Sequence, residues 1–196
     1  MSRHAVQVRD ARPDDATALV EVWSAPVART SEREPTRPPE EEAEASVARI
    51  AADPDQRLLV GCLEDQVAGA VQLTRAPLSP LHGDQAVYVL HLQVRDGFRR
   101  HGVGRALMEA TISWAEEKGT PYVIAAASVT SRDANRFMAR LGLGQVAMLR
   151  GATVPALRAK LPVDPPTAAK VGSRSHRNVG QVLARRRSMR RSQNGA

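Results

Sequence analysis

Arg99, Gly102 and Gly104 stand at a spacing that can hold an anion. They lie in "FRRHGVGRAL", residues 98–107, together with Arg100, His101, Val103 and Arg105. The stretch runs on into a helical pattern. Backbone N–H groups at a helix N-terminus lack intrahelical acceptors, and the helix dipole makes that end positive. Glycines let a bulky anion come close to the backbone. A phosphate or pyrophosphate is the guest that such a loop predicts. Two familiar phosphate loops are excluded: there is no G-x-x-x-x-G-K-[ST], and Leu107 stands where G-x-G-x-x-G needs its third glycine. A solvated strand-to-helix turn can also read R-R-H-G, so the surrounding elements must decide.

Those elements alternate between strand and helix. "AVQV" (5–8) is a short strand pattern, and "RPDDATALVEVW" (12–23) is a helix with Pro13 in its first turn. Residues 25–40 are rich in proline and charge and read as a loop. A helix acidic at its start follows at 40–53. Strands are expected at 57–64, 66–74 and 86–94, the first two joined by a turn near Asp65. The third leads straight into the glycine loop. A helix over 103–118 puts Val103, Leu107, Ala110 and Trp114 on one face and ends at Gly119. Residues 121–128, "PYVIAAAS", are apolar without alternation, the pattern of a central strand covered on both faces. "SRDANRFMARLGL" (131–143) is a helix capped by Ser131 and stopped at Gly142. "QVAMLR" (145–150) reads as a last strand and "TVPALRAKL" (153–161) as a small closing helix.

"LHLQVRDGFRRHGVGRALMEATISWAEEKG", followed by an apolar strand and "SRDANRFMARLGL", resembles the GCN5-related N-acetyltransferases over roughly residues 3–150. The loop fits that family's [Q/R]-x-x-G-x-[G/A] signature through Arg99, Gly102 and Gly104. Ala134, Phe137, Gly142 and Leu143 fit its A-x-x-F-x-x-x-x-G-[LF] helix. The resemblance implies a mixed α/β fold with a central mixed sheet flanked by helices, occupying residues 1–161. It implies acetyl-CoA as co-substrate and a primary amine, small molecule or protein, as acceptor. Backbone groups of Leu92 and Val94 would hold the pantetheine arm. The amides from Arg99 to Arg105 would cradle the pyrophosphate, and Asn135 would reach the pantetheine amides.

Acetyl transfer to an amine needs the amine neutral, a donor for the thioester oxygen and a proton for the departing thiolate. Many members of that family supply the last from a Tyr, whose position here is Met138; a frequent Glu or His position is Ala126, and the usual Asn is Ser131. Tyr88 is the first replacement, either holding a water or the amine, or packed as a core Tyr with its hydroxyl at the sheet edge. Alternation puts it on one strand face with Leu90, Leu92 and Val94. Ser128 either donates to the thiolate or caps the following turn. His101 is expected at phosphate or adenine, and His91 in a packing or surface role. No His, Asp or Glu set has metal-ligand spacing, so no metal is expected.

Composition bounds the rest. Of 196 residues 42% are hydrophobic, enough for one domain with a core. No apolar run reaches about 18 residues, so no transmembrane helix is expected. The N-terminus lacks an apolar signal core, and the single Cys62 gives no disulfide framework; a cytoplasmic protein is expected. Cys62 itself reads as a small buried hydrophobe. Net charge is +7, but residues 165–196 hold eight basic residues and no acid, which leaves the first 164 at −1. Residues 162–196 are therefore a basic tail, expected to be flexible or a short helix. Such a segment keeps a protein soluble, contacts nucleic acid or anionic surfaces nonspecifically, or docks on the acidic helix or a partner subunit. A homodimer is compatible with all of this. Besides the enzyme, two other classes fit: a catalytically weak acetyl-CoA-binding or regulatory module, and a nucleic-acid-associated protein acting through its tail.

Overall fold

A computed structural model describes residues 5–23, 38–81 and 83–161. The basic tail and most of the proline-rich stretch at 25–40 lie outside them. The chain divides after Leu149 into two compact units. In the first, a five-stranded sheet runs in the order β1 (Gln7–Asp10), β2 (Gln56–Leu63), β3 (Gln66–Pro77), β4 (Gln85–Val94) and β5 (Tyr122–Ala125). The first four strands pair antiparallel, and β5 joins β4 in parallel. Leu63 faces Gln66 across a two-residue turn, with Glu64 at φ 49° and Asp65 at φ 62°. That left-handed pair matches the twist of the strands and closes the hairpin expected near Asp65.

Alternation along the strands builds two apolar faces. Leu59, Val71, Leu73, Val87 and Val89 pack on α3 (Val103–Glu117), through its Val103, Leu107, Met108 and Trp114. Leu58, Val60, Cys62, Val67 and Ala70 pack on α1 (Ala16–Trp23) and α2 (Glu40–Ala51), through Leu19, Val22, Val47 and Ile50. Burial pushes the Cys62 thiol up. The helical face expected on α3 is buried, with Leu107 fully so. Truncating such a residue to alanine costs about 2–5 kcal/mol. These helices hold the sheet from both sides, and their registers fix where the site opens.

Three expectations change. Residues 145–150 form no strand, and Val146, Met148 and Leu149 are exposed. A strand pattern needs a paired edge, and nothing pairs there. The strand expected at 121–128 is cut to Tyr122–Ala125, stands at the edge of the sheet, and is half-buried rather than covered on both faces. Its chain is turned away at Ser128–Thr130, where side chain and backbone hydrogen-bond each other. The first strand starts at Gln7, two residues later than the apolar pattern suggested. Beyond Leu149, the second unit contains α5 (Val154–Lys160), capped by Thr153 and exposed along its length.

Candidate functional site

The site is set by a break in the pairing of β4. Residues Ala86–Val89 have neighbours on both sides, β3 and β5. The last bond to the β5 side runs from the Ala126 amide to the Val89 carbonyl, 3.1 Å. Beyond it β5 has turned off, while β4 continues along β3 to Val94. One backbone edge of residues 90–94 therefore has no strand partner among the described residues, and unpaired backbone of this kind takes an extended ligand readily.

A bulge decides which groups that edge presents. Ala70 faces Gln93 and Gln72 faces Leu90, so a single β3 residue opposes two of β4. His91 is at φ 53°, in the left-handed region. The extra residue reverses the alternation that follows. The Arg95 amide donates to Ala68 of β3 at 2.9 Å. Counting back from it, the backbone groups of Leu92 and Val94 point to the open edge, and those of Gln93 to β3. The side chains of Leu92 and Val94 lie with Val87 and Val89 against the α3 core. Tyr88 and Leu90 therefore face the opposite layer. This corrects the expected common face of Tyr88, Leu90, Leu92 and Val94, because strict alternation does not survive a bulge.

The open edge leads directly into the glycine loop. A turn of 3-10 helix, Asp96–Phe98, is followed by Arg100 at φ 65° and Gly102 at φ 87°. Glycine suits Gly102 because a Cβ there would be strained by the backbone, although the space beside it is empty. The first helical amide of α3 to find a carbonyl is Ala106, bonded to Gly102 at 2.9 Å. The amides of Val103, Gly104 and Arg105 precede it, without intrahelical acceptors. Arg99 pairs with Asp96 and Arg105 with Glu109, each at 2.8 Å and exposed. Exposed pairs contribute only about 0–1 kcal/mol, so an arriving phosphate can take over either guanidinium. His101 Nδ1 donates to the Arg99 carbonyl at 2.8 Å, which leaves Nε2 facing outward.

The far wall is α4 (Arg132–Arg140). Ser131 caps it by accepting from the Ala134 amide at 3.3 Å. A Cβ on Gly104 would meet Phe137 Cζ of α4 at 3.5 Å and Val94 at 3.8 Å, so this glycine is where α3, α4 and β4 converge. Asn135 Nδ2 donates to the carbonyls of Ser128 and Ser131, at 2.8 and 2.7 Å. Ser128 Oγ is bonded to Thr130 Oγ1 at 2.9 Å. Met138 is buried. The Tyr88 hydroxyl donates to the Pro77 carbonyl at 3.2 Å, toward the start of β4 and away from the open edge. Tyr88 and Ser128 thus each have a local partner, and no bond joins them.

Three contributors were not legible in the sequence. The bulge at His91 has no residue signature. Trp23, the last residue of α1, donates its indole N–H to the His91 carbonyl at 2.8 Å. Gly69 lies under the open half of β4, where a Cβ would meet the Gln93 carbonyl at 2.7 Å. Only Gly69 carried a hint, since an isolated glycine inside a strand marks close approach of another backbone.

Perturbed protonation is found elsewhere. Asp15 is held below the ordinary carboxylate range by the Arg9 guanidinium, at 2.6 and 2.8 Å, and by the Arg12 amide at 2.7 Å. A pocket lined by Asp10, Asp53, Arg57 and Trp114 also lies apart from the loop, and Arg57 and Asp10 satisfy each other there at 2.7 and 3.0 Å. Among the described residues no cluster of His, Cys, Asp or Glu could hold a metal ion. No described helix is long and apolar enough to cross a membrane.

Comparison with known proteins agrees with this architecture. Among solved structures, a transcriptional regulator from Bacillus halodurans C-125 is 24% identical with a TM-score of 0.62, covering 76% of this chain and 99% of its own. Glucosamine-6-phosphate N-acetyltransferase from Arabidopsis thaliana is 16% identical with a TM-score of 0.62, again covering 76% and 99%. The aminoglycoside N-acetyltransferase AAC(6')-Iy, in complex with CoA, is 13% identical with a TM-score of 0.60, covering 76% and 94%. At these identities the likeness is one of fold. No curated protein matches the sequence. The acetyltransferase (GNAT) family model matches residues 19–143, well over half of the chain, and the protein belongs to that family.

Proposed function

We propose that the protein is an acetyl-CoA-dependent N-acetyltransferase acting on a primary amine. One observation carries the reading: the edge of β4 at Leu92 and Val94, without a described strand partner, runs into a glycine loop and a helix start whose first amides lack intrahelical acceptors. An extended pantetheine arm is amide-bearing and fits a free strand edge. A pyrophosphate fits the amides of Arg99 to Arg105 with Arg100 and His101 at hand. Asn135 serves the site as a latch on the Ser128 turn, which keeps the chain beyond β5 turned off from β4.

In the reaction the amine nitrogen forms a bond to the thioester carbonyl carbon, and the carbon–sulfur bond breaks with its electron pair on sulfur. One amine proton passes through water to the thiolate, giving amide and free thiol. The chain's part is to align the two partners beside backbone donors, and orientation alone can lower such a barrier by several kcal/mol. A missing acid or base forfeits about 10²–10⁴-fold. Turnover should therefore be slow and should rise with pH as the amine deprotonates. Thiol release measured against a panel of primary amines across pH tests this. A folded protein that fails to bind acetyl-CoA in calorimetry overturns it.

A second reading is favoured by Met138 and Ala126, neither of which can exchange a proton. It is a module that binds acetyl-CoA without turning it over. Tight binding with no thiol release on any amine selects it.

A further inference from the structure

We infer that Trp23 is a positioning residue that fixes the register of the β4 bulge, and through it the backbone groups offered to the cofactor. The inference rests on the acetyl-CoA reading for its consequence, but not for its structural part. His91 is one of the two β4 residues that stand opposite a single β3 residue in the bulge. His91 also carries a left-handed φ of 53°, which disfavours a non-glycine residue. The Trp23 indole N–H donates to the His91 carbonyl at 2.8 Å and so holds the bulge from the side of α1. A second tie from α1 to this half of β4 is Glu21 Oε2 to Arg95 Nη2 at 3.0 Å. That pair is substantially exposed, and salt screens such pairs strongly. The neutral indole bond is the one that persists at physiological ionic strength.

The alternatives that Trp23 works against are specific. A bulge moved by one residue turns Gln93 to the open edge and Leu92 to β3. The open edge would then present the donor and acceptor of Gln93 in place of those of Leu92, next to an unchanged Val94. With β5 gone from this half, the sheet itself offers no second ladder to forbid the slip. Trp23 ends α1, which packs on the Leu58, Val60 and Cys62 face of the sheet, the layer opposite α3.

The test is Trp23→Phe, which keeps an aromatic ring and deletes the donor. Amide hydrogen exchange is followed residue by residue, without ligand. Exchange at Gln93 and Arg95 should accelerate at least about threefold, while Val87 and Val89 keep their wild-type rates. Coenzyme A affinity by calorimetry should fall about three- to tenfold with the melting temperature little changed. Raising the salt concentration should leave the wild-type exchange at Gln93 unchanged. Uniform acceleration across the sheet, or none at Gln93 and Arg95, overturns the proposal. If wild-type protein does not bind coenzyme A at all, the functional reading fails, and the exchange pattern still decides the role of Trp23.

Discussion

The two halves of β4 belong to one strand and have different fates. Ala86–Val89 is held by β3 and β5, and its Val87 and Val89 pack into the α3 core. His91–Val94 is held by β3 alone, with a bulge, a left-handed residue and a side-chain bond from a helix. The first half is stable because every backbone group has a partner in the sheet. The second can serve a ligand because some do not. A cofactor that pairs with backbone needs an edge left open, and an edge left open must be stiffened by something other than a strand. Here that task falls to α1, to Gly69 beneath, and to the helix start at Gly102.

The contrast can be broken most severely at the loop. Gly104→Asp puts a negative charge where the pyrophosphate should lie, in a partly desolvated place. Acetyl-CoA affinity should drop more than about 30-fold, or about 2 kcal/mol. The new Cβ finds only ordinary contacts with Phe137 and Val94, so the protein should still fold, and Gly104→Ala should bind nearly as well. Calorimetry on the folded variants separates charge from bulk. Unchanged affinity in Gly104→Asp would remove the loop from the site.

Gly69→Ala attacks the open half from below. Its Cβ would stand 2.7 Å from the Gln93 carbonyl and 3.1 Å from Val103. Backbone has to move, at about 1 kcal/mol or more in thermal or denaturant unfolding. The displacement falls on the open half, so acetyl-CoA affinity should weaken in the same variant. An unchanged melting curve would show that β3 and β4 are farther apart there than described.

Asp15 sharpens the comparison from the far end of α1. Arg9 depresses the Asp15 carboxyl below its ordinary value of 3.8. A depressed carboxylate contributes stability above its unfolded pKa, and loses it as pH falls through the folded one. Unfolding measured from neutral pH into acid should show this loss below about pH 4. Asp15→Asn should lower stability at neutral pH and flatten that part of the acid limb. A variant whose acid limb matches wild type would show that the pair adds nothing.

The smallest effect is expected in the paired half. The Tyr88 hydroxyl is spent on the Pro77 carbonyl and points away from the open edge. Tyr88→Phe should therefore leave acetyl-CoA affinity alone and change the transfer rate less than about threefold. A tenfold loss of rate with unchanged affinity would instead put Tyr88 in the chemistry, holding a water or the amine.

By itself the sequence determined the glycine loop, the strand before it and the helix after it, the hairpin at Asp65 and the buried face of α3. Each is a local matter. Gly102 is there because its φ is positive, Ser131 because its side chain caps the next turn, and Val103, Leu107 and Trp114 because they recur with the helical period. The family resemblance followed from the same local motifs. Only the tertiary structure decided which face Leu92 and Val94 take, since a bulge leaves no mark on residue types and reverses everything after it. Only the structure paired Trp23 with His91, which lie 68 positions apart. It also denied "QVAMLR" a place in the sheet, although its pattern is as strand-like as "AVQV" near the N-terminus. Pattern states which face a segment would bury. Whether a partner edge is there to receive it is decided by the other elements of the fold.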